Sequence, residues 1–288
     1  MKPIVFIFHG NEQLGRNIIT GLNAEHGDFI LRNFPDGETY VRITSEVKER
    51  NIIIVCSLHQ PDVKMLPLFF FCNLLKDKKV RTISLVAPYL SYMRQDKVFK
   101  PGEAITSVYF AKFLSSCADR LITVDPHLHR RASMREIYSI PCEVLHGSDL
   151  ISQWIKKHVS SAVLIGPDKE SEQWVSEVAK NAGVPFIVLE KVRHGDRNVE
   201  LTIPSMENYK NLIPILVDDI ISTAHTMIET VKQLKKAGMQ APICIAVHGI
   251  FFFFFYNELL LAGTADVITT NTIPHPTNKI DISQLIID

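Results

Sequence analysis

The sequence predicts an α/β protein of two similar domains, each a parallel sheet flanked by helices. Short β-type runs alternate with helix-length amphipathic segments along the chain, a pattern typical of parallel α/β architecture. Most of these runs are apolar on both faces, as expected for strands that helices cover from both sides. Ten runs are too many for one sheet of ordinary size, so the pattern favours two domains.

The predicted elements follow one another in regular order from the amino terminus onward. The β-type runs are Ile4–Phe8, Phe29–Leu31, Ile52–Cys56, Ile83–Ala87, Leu121–Val124, Val144–Leu145, Val163–Ile165, Phe186–Leu189, Ile215–Val217 and Ile243–Val247. The amphipathic segments include Asn11–Leu22, Ala104–Ser116, Ser171–Asn181 and Thr226–Lys236. Because the first five strands form one set, we place the boundary after Ile140, between domains 1–140 and 141–288. The last residues of the chain are a candidate to return to the first domain.

Composition limits the function classes that the chain can serve. With 288 residues, 46% of them hydrophobic and 22% charged, it has the make-up of a globular protein with a substantial core. Lys plus Arg and Asp plus Glu balance at 31 each, so no basic field argues for nucleic acid or an anionic membrane as partner. The five cysteines are scattered without a Cys-x-x-Cys pair, which favours reduced thiols and argues against a zinc site. No apolar run has the length of a membrane span or the form of a signal peptide, so we expect a cytoplasmic protein.

The segment from Val217 to Thr226 carries the strongest indication of function. The strand that ends at Val217 leads two adjacent acids, Asp218 and Asp219, into a small, hydroxyl-rich turn before a helix. Ligands of open parallel sheets bind at the carboxyl ends of strands, and such a turn presents N–H groups and a helix N-terminus to a phosphate. The acids are suited to sugar hydroxyls or a metal ion. A capped strand end would explain one Asp and one Ser, but two acids before Ser-Thr-x-x-Thr favour a phosphosugar site.

Three further loops group functional side chains after predicted strands. Residues 33–39 join a Pro-Asp-Gly turn to an aromatic ring and two acids, although by themselves they are more commonly an ordinary hairpin turn. Residues 87–97 carry two tyrosines, two cations and an acid, which is more typical of a site than of a linker. Residues 125–129 add an acid and two histidines, either of which is equally well explained as a hydrogen-bonded structural residue. No Walker-type glycine loop occurs, so an ATP site would have to be built differently.

Together these segments resemble the ribose-phosphate diphosphokinases, the synthetases of phosphoribosyl diphosphate (PRPP). The family's Phe-Ser-Asp-Gly-Glu is similar to Phe34–Glu38, and its Pro-Tyr-x-x-x-x-Arg-Gln-Asp matches residues 88–96. Further matches are Asp125 with His127 for Asp-Leu-His, Gly166–Asp168 for Ser-Pro-Asp, Lys191 with Arg193 for the mobile catalytic segment, and Ala246–Phe251 for Ala-Thr-His-Gly-Leu-Phe. Type I phosphoribosyltransferases share only the 218–226 loop among these motifs. The resemblance implies two domains of the type I phosphoribosyltransferase kind.

The chain departs from the family's pattern at three places. Ala224 and His225 stand where the loop usually has two glycines, and Lys169–Trp174 stands where other members have glycines. The segment Phe99–Ala104 replaces the one tied to phosphate activation and ADP inhibition. The last two changes resemble a shorter archaeal-type branch, so we expect phosphate and ADP to be weak regulators.

The resemblance implies transfer of the diphosphoryl group of ATP to the anomeric hydroxyl of ribose 5-phosphate, giving PRPP and AMP for nucleotide biosynthesis. Lys191 and Arg193 would stabilise the transition state, and His127 with Asp168 would hold Mg²⁺. The residues expected at ATP are Phe34, Asp36, Glu38, Arg94, Gln95, Asp96 and His127, and those expected at ribose 5-phosphate are Asp218, Asp219, Ser222, Thr223, Ala224, His225 and Thr226. Without the resemblance, a solvated basic loop would be the better explanation of Lys191 and Arg193.

Two alternative functions stay open from the sequence. A phosphoribosyltransferase would need a nucleobase-specificity loop, which we do not find, and would consume PRPP without ATP. A non-catalytic regulatory subunit tends to lose or interrupt the catalytic segments, whereas this chain keeps Lys191, Arg193 and His127. The resemblance also implies a homo-oligomer, a dimer or larger, in which the Phe34–Glu38 loop of one subunit completes the nucleotide site of its neighbour.

Overall fold

The computed structural model describes residues 1–128, 130–167, 171–194, 198–202, 207–222, 224–251 and 255–288, and for 190–194 and 198–202 it describes the backbone alone. These residues form two compact units. One consists of Met1–Leu145, Thr272–Pro274 and Ile282–Asp288, and the other of His146–Asn271 and His275–Asp281. The division into domains at residue 140 stays a prediction.

The first unit is built on a parallel sheet with one separate hairpin. Its strands are β1 (Ile4–Ile7), β2 (Glu25–His26), β3 (Phe29–Asn33), β4 (Thr39–Ile43), β5 (Asn51–Val55), β6 (Thr82–Val86), β7 (Arg120–Val124) and β8 (Cys142–Leu145). The sheet order is β2-β1-β5-β6-β7-β8, with parallel pairing throughout, while β3 and β4 pair with each other as an antiparallel hairpin. The helices that follow strands β1, β5 and β6 are α1 (Glu12–Gly21), α2 (Asp62–Asp77) and α3 (Thr106–Cys117).

An aromatic cluster lies at the centre of the first unit's core. Phe71 of α2 is fully buried, and its ring centroid lies 5.1 Å from that of Phe6 on β1 and 4.9 Å from that of Phe29 on β3. Burying one such side chain stabilises the fold by about 1.5–3 kcal/mol. The cluster therefore fixes both the hairpin and α2 against the sheet.

The second unit repeats the strand order of the first. Its strands are β9 (Ala162–Gly166), β10 (Phe186–Val188), β11 (Glu190–His194), β12 (Asn198–Thr202), β13 (Ile213–Ile221), β14 (Ile243–Gly249), β15 (Asp266–Thr270) and β16 (Asn278–Ile280), and its helices are α4 (Ser148–His158), α5 (Glu172–Ala182), α6 (His225–Lys236) and α7 (Phe255–Leu261). The parallel sheet runs β10-β9-β13-β14-β15-β16, and β11 and β12 form an antiparallel hairpin. Each unit thus makes two strands, then a hairpin, then four strands. This repetition confirms the predicted pair of similar α/β domains with parallel sheets.

The strand order decides where each unit can bind a ligand. In the first sheet the chain moves from β1 outward to β2 and then returns to β5 on the other side of β1. In the second sheet β9, β10 and β13 follow the same course. Such reversals open a crevice at the carboxyl ends of the two central strands, which is the usual binding position in open α/β sheets.

The end of the chain packs in the first unit. The last helix, α8 (Ser283–Ile287), lies against α1, where Asn17 Nδ2 donates a hydrogen bond to Ser283 Oγ at 3.3 Å. Thr272 belongs to the same unit, and its carbonyl accepts a hydrogen bond of 2.5 Å from Ser57 Oγ.

Two further observations concern the cysteines and the helices. All five cysteines are free thiols, and burial raises the pKa of Cys56 and of Cys244 to about 12, so these two thiols stay protonated and unreactive. Within the described part of the chain, no helix combines the length and the apolar character that crossing a membrane requires.

Candidate active site

The acids of the segment we call the phosphosugar loop, residues 218–226, lie at the switch point of the second sheet. Pairing between β13 and β9 ends at Leu216 opposite Ile165, whereas β13 stays paired with β14 as far as Ile221. Asp218 and Asp219 therefore lie beyond the paired end of β9. Both side chains are half-buried, and the Asp219 N–H donates to Asp218 Oδ1 at 2.9 Å.

The turn after these acids reaches α6 through a left-handed residue. Ala224 has φ +52°, a conformation that glycine adopts without strain and alanine does not, and it stands where related loops have glycine. The carbonyl of Ala224 accepts the first hydrogen bond of α6, from the Ile228 N–H at 2.8 Å. The helix that follows buries Met227 and Val231. The predicted helix thus begins at His225 even though the glycines are absent, but β13 continues through both acids to Ile221, past the strand end predicted at Val217.

Aromatic rings lie beside the phosphosugar loop. The exposed ring of His225 contacts Phe255 edge to face, with centroids 5.4 Å apart. Phe251, at φ +24°, lies 4.4 Å from His275 between ring centroids, and burial lowers the pKa of His275. Tyr256 contacts both of these rings. The first and last residues of the five-phenylalanine run are therefore packed inside the second unit, and residues 252–254 lie outside the described residues.

In the first unit, the segment we call the nucleotide loop, residues 88–105, follows β6. Its first part is held to the loop after β5, because the Leu58 N–H donates to the Tyr89 carbonyl at 2.9 Å and Ser91 Oγ donates back to the Leu58 carbonyl. The Tyr92 hydroxyl donates to the Asp62 carboxylate at the start of α2, and this hydrogen bond raises the pKa of Tyr92 to about 12. Tyr92 itself has φ +62°. The loop is thus anchored before it reaches Arg94.

The three residues predicted at ATP in this loop differ in exposure. Arg94 and Gln95 are exposed, and Gln95 Oε1 accepts a hydrogen bond of 2.6 Å from Thr106 Oγ1 at the start of α3. The side chain of Asp96 is buried, and both its carboxylate oxygens accept hydrogen bonds from Arg130 Nη1, at 3.1 and 3.3 Å. Arg94 and Gln95 therefore present polar groups outward, while Asp96 points into the protein.

The segment we call the His127 loop, residues 125–133, follows the neighbouring strand β7. Asp125 is buried with φ +35°, and its N–H donates to the Leu145 carbonyl of β8 at 2.9 Å. His127 is half-buried two residues further on. Since β6 and β7 are adjacent in the sheet, the nucleotide loop and the His127 loop emerge from the same edge.

The β3–β4 hairpin carries the third set of residues predicted at ATP. Its tip from Asn33 to Glu38 is exposed, and Phe34 itself is 40% exposed. The guanidinium carbon of Arg32 lies 4.7 Å from the centroid of the Phe34 ring and 4.5 Å from that of Tyr40, so one cation lies over two rings. Gly37, at φ +94°, forms the turn, and Asp36 Oδ1 accepts the Glu38 N–H at 3.1 Å. The ring and the two acids are thus presented at one exposed tip.

Some predicted residues cannot be assigned a geometry. Asp168 and Thr223 lie outside the described residues, and so do the side chains of Lys191 and Arg193. The backbone of the last two lies in β11, opposite Leu201 and Val199 of β12.

The described donors are compatible with a magnesium ion. In the parts of the chain with a described geometry, no three His, Cys, Asp or Glu side chains lie together as a metal cluster. Mg²⁺ usually keeps several waters and is held by one or two carboxylates together with substrate phosphates. The His127 loop carries one carboxylate, that of the buried Asp125, two residues before the imidazole of His127.

Sequence reasoning missed three side chains that contact the predicted residues. Arg130 and Arg131 hold Asp96 and its backbone, and Arg32 lies over Phe34. The Arg32–Tyr40 contact follows from their opposition in the hairpin, so a hairpin register predicted from the Pro-Asp-Gly turn would have indicated it. Nothing comparable in the sequence links Arg130 to Asp96.

Comparisons with known proteins agree with this geometry. The family model for the N-terminal domain of ribose phosphate pyrophosphokinase matches residues 4–117, and the phosphoribosyl transferase domain model matches residues 133–251. The first match covers the hairpin and the nucleotide loop, and the second covers the phosphosugar loop.

Curated relatives extend the similarity to nearly the whole chain. The ribose-phosphate pyrophosphokinase of Sulfolobus acidocaldarius is 32% identical, and the alignment covers 94% of this chain and 92% of the relative. Ribose-phosphate pyrophosphokinase 2 of Archaeoglobus fulgidus is also 32% identical, over 95% and 94% of the two chains. The crystal structure of phosphoribosylpyrophosphate synthetase from Mycobacterium smegmatis shares the fold, with a TM-score of 0.87 at 23% identity over 100% of this chain and 97% of that one. The chain therefore belongs to the ribose-phosphate pyrophosphokinase family.

Proposed function

We propose that this protein is a ribose-phosphate diphosphokinase, which transfers the diphosphoryl group of ATP to the anomeric hydroxyl of ribose 5-phosphate and so forms PRPP and AMP. The observation that carries the proposal is the pairing of two sites in one chain. The first unit has exposed polar side chains in the loop after β6 and matches the model of a domain of this family, while the second has two acids at its switch point, close before the N-terminus of α6. A phosphoribosyltransferase needs only the second site.

The phosphosugar loop supplies the groups that ribose 5-phosphate requires. The carboxylates of Asp218 and Asp219 would accept hydrogen bonds from the ribose hydroxyls, because ionised carboxylates are strong acceptors. The 5-phosphate would be held by the backbone N–H groups from Ser222 to Thr226 and by the amino-terminal end of α6. His225 and Thr226 add side-chain donors at the same turn.

The nucleotide would be held by groups of the first unit. Arg94 and Gln95 present donors at the edge of the first sheet, and Phe34 offers an exposed ring for stacking on the purine. Asp36 and Glu38 would accept hydrogen bonds from the exocyclic amine or the nucleotide's ribose. These contacts orient ATP without taking part in the bond changes.

Charge that develops on the phosphate oxygens during transfer must be stabilised by cations. We assign this role to Lys191 and Arg193, since Arg matches phosphate oxygens with two parallel donors. Mg²⁺, when bound, would neutralise charge on the phosphates, and His127 and Asp168 are its proposed protein ligands.

A coupled assay for AMP formation from ATP and ribose 5-phosphate tests the proposal. We expect AMP and PRPP in equal amounts, with no product when ribose 5-phosphate is omitted. Release of diphosphate from PRPP and a nucleobase, without ATP, would instead make the protein a phosphoribosyltransferase. Inactivity in both assays would favour a regulatory subunit.

We also propose that the active form is a homo-oligomer in which the Phe34–Glu38 loop completes the nucleotide site of a neighbouring subunit. The exposure of the whole hairpin tip supports this arrangement, because a stacking residue needs a partner surface beyond its own hairpin. The free cysteines also suit a cytoplasmic location, which we propose for the enzyme.

Mixed oligomers test the shared site directly. A Phe34→Ala, Glu38→Ala chain should raise the KM for ATP, since losing one base–aromatic stack alone costs about 1–3 kcal/mol. Co-expression of this chain with a Lys191→Ala chain should restore part of the activity, because some shared sites in the mixed oligomers then contain neither set of substitutions. Phe70→Ala is the matched control, as Phe70 is also 40% exposed but lies on α2. Mixed oligomers without recovery would mean that each loop serves its own subunit.

A further inference from the structure

The nucleotide loop and the His127 loop are tied together by an ion pair that is far from local in the sequence. Asp96 and Arg130 are 34 residues apart, and the side chain of Asp96 is only 2% exposed. Arg130 Nη1 lies 3.1 Å from Asp96 Oδ1 and 3.3 Å from Asp96 Oδ2. A buried carboxylate is costly unless a cation and hydrogen bonds accompany it, so this contact fixes the spacing of the two loops.

Arg131 makes a second tie between the same segments. Its Nη2 atom donates to the backbone carbonyl of Asp96 at 3.2 Å and to Ser107 Oγ at 3.3 Å. Its side chain is 13% exposed, and Nη1 lies 3.7 Å from Glu136 Oε2. Since Ser107 lies in the first turn of α3, Arg131 also joins the beginning of that helix to the two loops.

These contacts lie close in the sequence to the residues proposed to bind ATP. Arg94 and Gln95 directly precede Asp96, and the Gln95 carbonyl accepts the Ser107 N–H at 3.4 Å. On the other side, His127 lies three residues before Arg130. The guanidinium of Arg130 also lies over the ring of Phe99, 5.7 Å from its centroid, in the later part of the nucleotide loop.

We propose that Asp96, Arg130 and Arg131 form a clasp that positions Arg94, Gln95 and His127, and that Asp96 acts through this clasp rather than by touching the nucleotide. The inference rests on the proposed function, because ATP is taken as the ligand of these loops. Both carboxylate oxygens of Asp96 are already engaged by Arg130, and the side chain is nearly inaccessible. All three members of the clasp are positioning residues.

A double-mutant cycle in steady-state kinetics separates positioning from direct contact. Arg130→Gln should raise the KM for ATP roughly tenfold, as expected for losing a hydrogen-bonded charge, and change the KM for ribose 5-phosphate by less than about threefold. Asp96→Asn in the Arg130→Gln background should add almost nothing, since both changes open the same clasp. Arg130→Lys should recover part of the affinity for ATP because it keeps the charge. If the two substitutions instead raise the KM for ATP by factors that multiply in the double variant, the clasp is wrong and Asp96 contacts the nucleotide directly.

Hydrogen exchange gives a readout that needs no activity. In the full-length Arg130→Gln protein, peptides covering residues 88–105 and 125–135 should exchange faster, while peptides of α6 should be unchanged. Arg120→Gln is the matched control, because it breaks the exposed Arg120–Glu143 pair at the other end of β7. Unchanged exchange in both loops would overturn the clasp even if wild-type activity is as proposed. If the wild type forms no AMP, the proposed function fails, and the exchange experiment still decides whether the loops are clasped.

Discussion

The nucleotide loop of the first unit and the phosphosugar loop of the second are held in different ways. The nucleotide loop is held by side chains from distant segments, among them Asp62 and Arg130. The phosphosugar loop is held largely through backbone groups: residues 218–221 pair with β14, the Ile250 N–H donates to the Ile221 carbonyl at 2.9 Å, and Ala224 in a left-handed conformation leads directly into α6. Both loops follow the carboxyl ends of parallel strands, so the same fold can position a loop in either of these two ways.

This difference suits what each loop is proposed to bind. A phosphate presents oxygens on all sides and can be held by backbone N–H groups, which every sequence supplies. A nucleotide needs particular side chains at particular places, and the loop that carries them needs bracing. Neither loop contains Lys191 or Arg193, the cations proposed for the chemical step, whose backbone lies in β11.

The largest effect on activity should therefore fall outside both loops. Lys191→Ala should lower kcat by roughly two to four orders of magnitude, because it removes a cation that acts mainly in the transition state. The KM values for both substrates should change much less. Steady-state kinetics against Lys232→Ala, an exposed lysine paired with Glu229 on α6, provides the comparison. A Lys191→Ala enzyme with nearly normal kcat would remove this residue from the mechanism.

A smaller effect, on binding, should separate the two loops. Asp219→Asn should raise the KM for ribose 5-phosphate roughly 10- to 100-fold, because hydrogen bonds to a charged group contribute about 1.5–3 kcal/mol. The KM for ATP should stay within about threefold of the wild type. Asp266→Asn is the matched control, since this half-exposed acid of the same unit pairs with Lys279 at 2.6 Å and accepts the Val267 N–H at 2.9 Å. Equal changes in both KM values would mean that the loops do not bind separate substrates.

How far the sequence could predict these features follows from the same comparison. The strand and helix on either side of the two acids were predictable because they are consecutive in the sequence, and Val217 and Val231 are buried as the pattern requires, although β13 ends at Ile221 rather than at Val217. The order of α and β segments was equally local, which is why two parallel-sheet domains were predicted correctly. Strand β15 was not predicted because only two residues of its sequence, Asp-Val-Ile-Thr-Thr, are apolar, although the strand is largely buried.

Features that depend on distant segments could not be predicted. The contacts of Arg130 and Arg131 require the ends of β6 and β7 to be adjacent, and no local pattern specifies which cation meets which acid. The roles of Lys191 and Arg193 came from family resemblance, and they stay predictions.

The stability of a region held by side chains should also depend more on pH than that of a region held by backbone hydrogen bonds. Burial, followed by the nearby charge of Lys64, lowers the pKa of His59 from 6.5 to about 4, in the loop that supports Tyr89 and Ser91. The unfolded chain therefore binds a proton between pH 6.5 and 4 that the folded protein does not, so stability is present above pH 6.5 and is lost as the pH falls toward 4.

Urea unfolding at several pH values measures this loss. Allowing for solvent screening of a partly exposed group, we expect His59 to account for about 1 kcal/mol. His59→Gln should flatten the pH dependence between 6.5 and 4, whereas His158→Gln, at the exposed end of α4, should leave it as in the wild type. An unchanged slope in His59→Gln would show that another group is responsible.

The smallest effect concerns the backbone of the phosphosugar loop. At φ +52°, Ala224 carries strain of about 1–2 kcal/mol that glycine would relieve, but glycine also loses a buried methyl group, which contributes about 0.8 kcal/mol. The two terms nearly cancel, so Ala224→Gly should change the free energy of unfolding by less than about 1 kcal/mol. Ala179→Gly offers the matched control, since Ala179 is 1% exposed within α5 and its replacement loses both a methyl group and helix propensity, about 2 kcal/mol together. Denaturant unfolding of the two variants should therefore differ clearly, with Ala224→Gly the more stable. If both lose the same stability, Ala224 is not strained in its left-handed conformation.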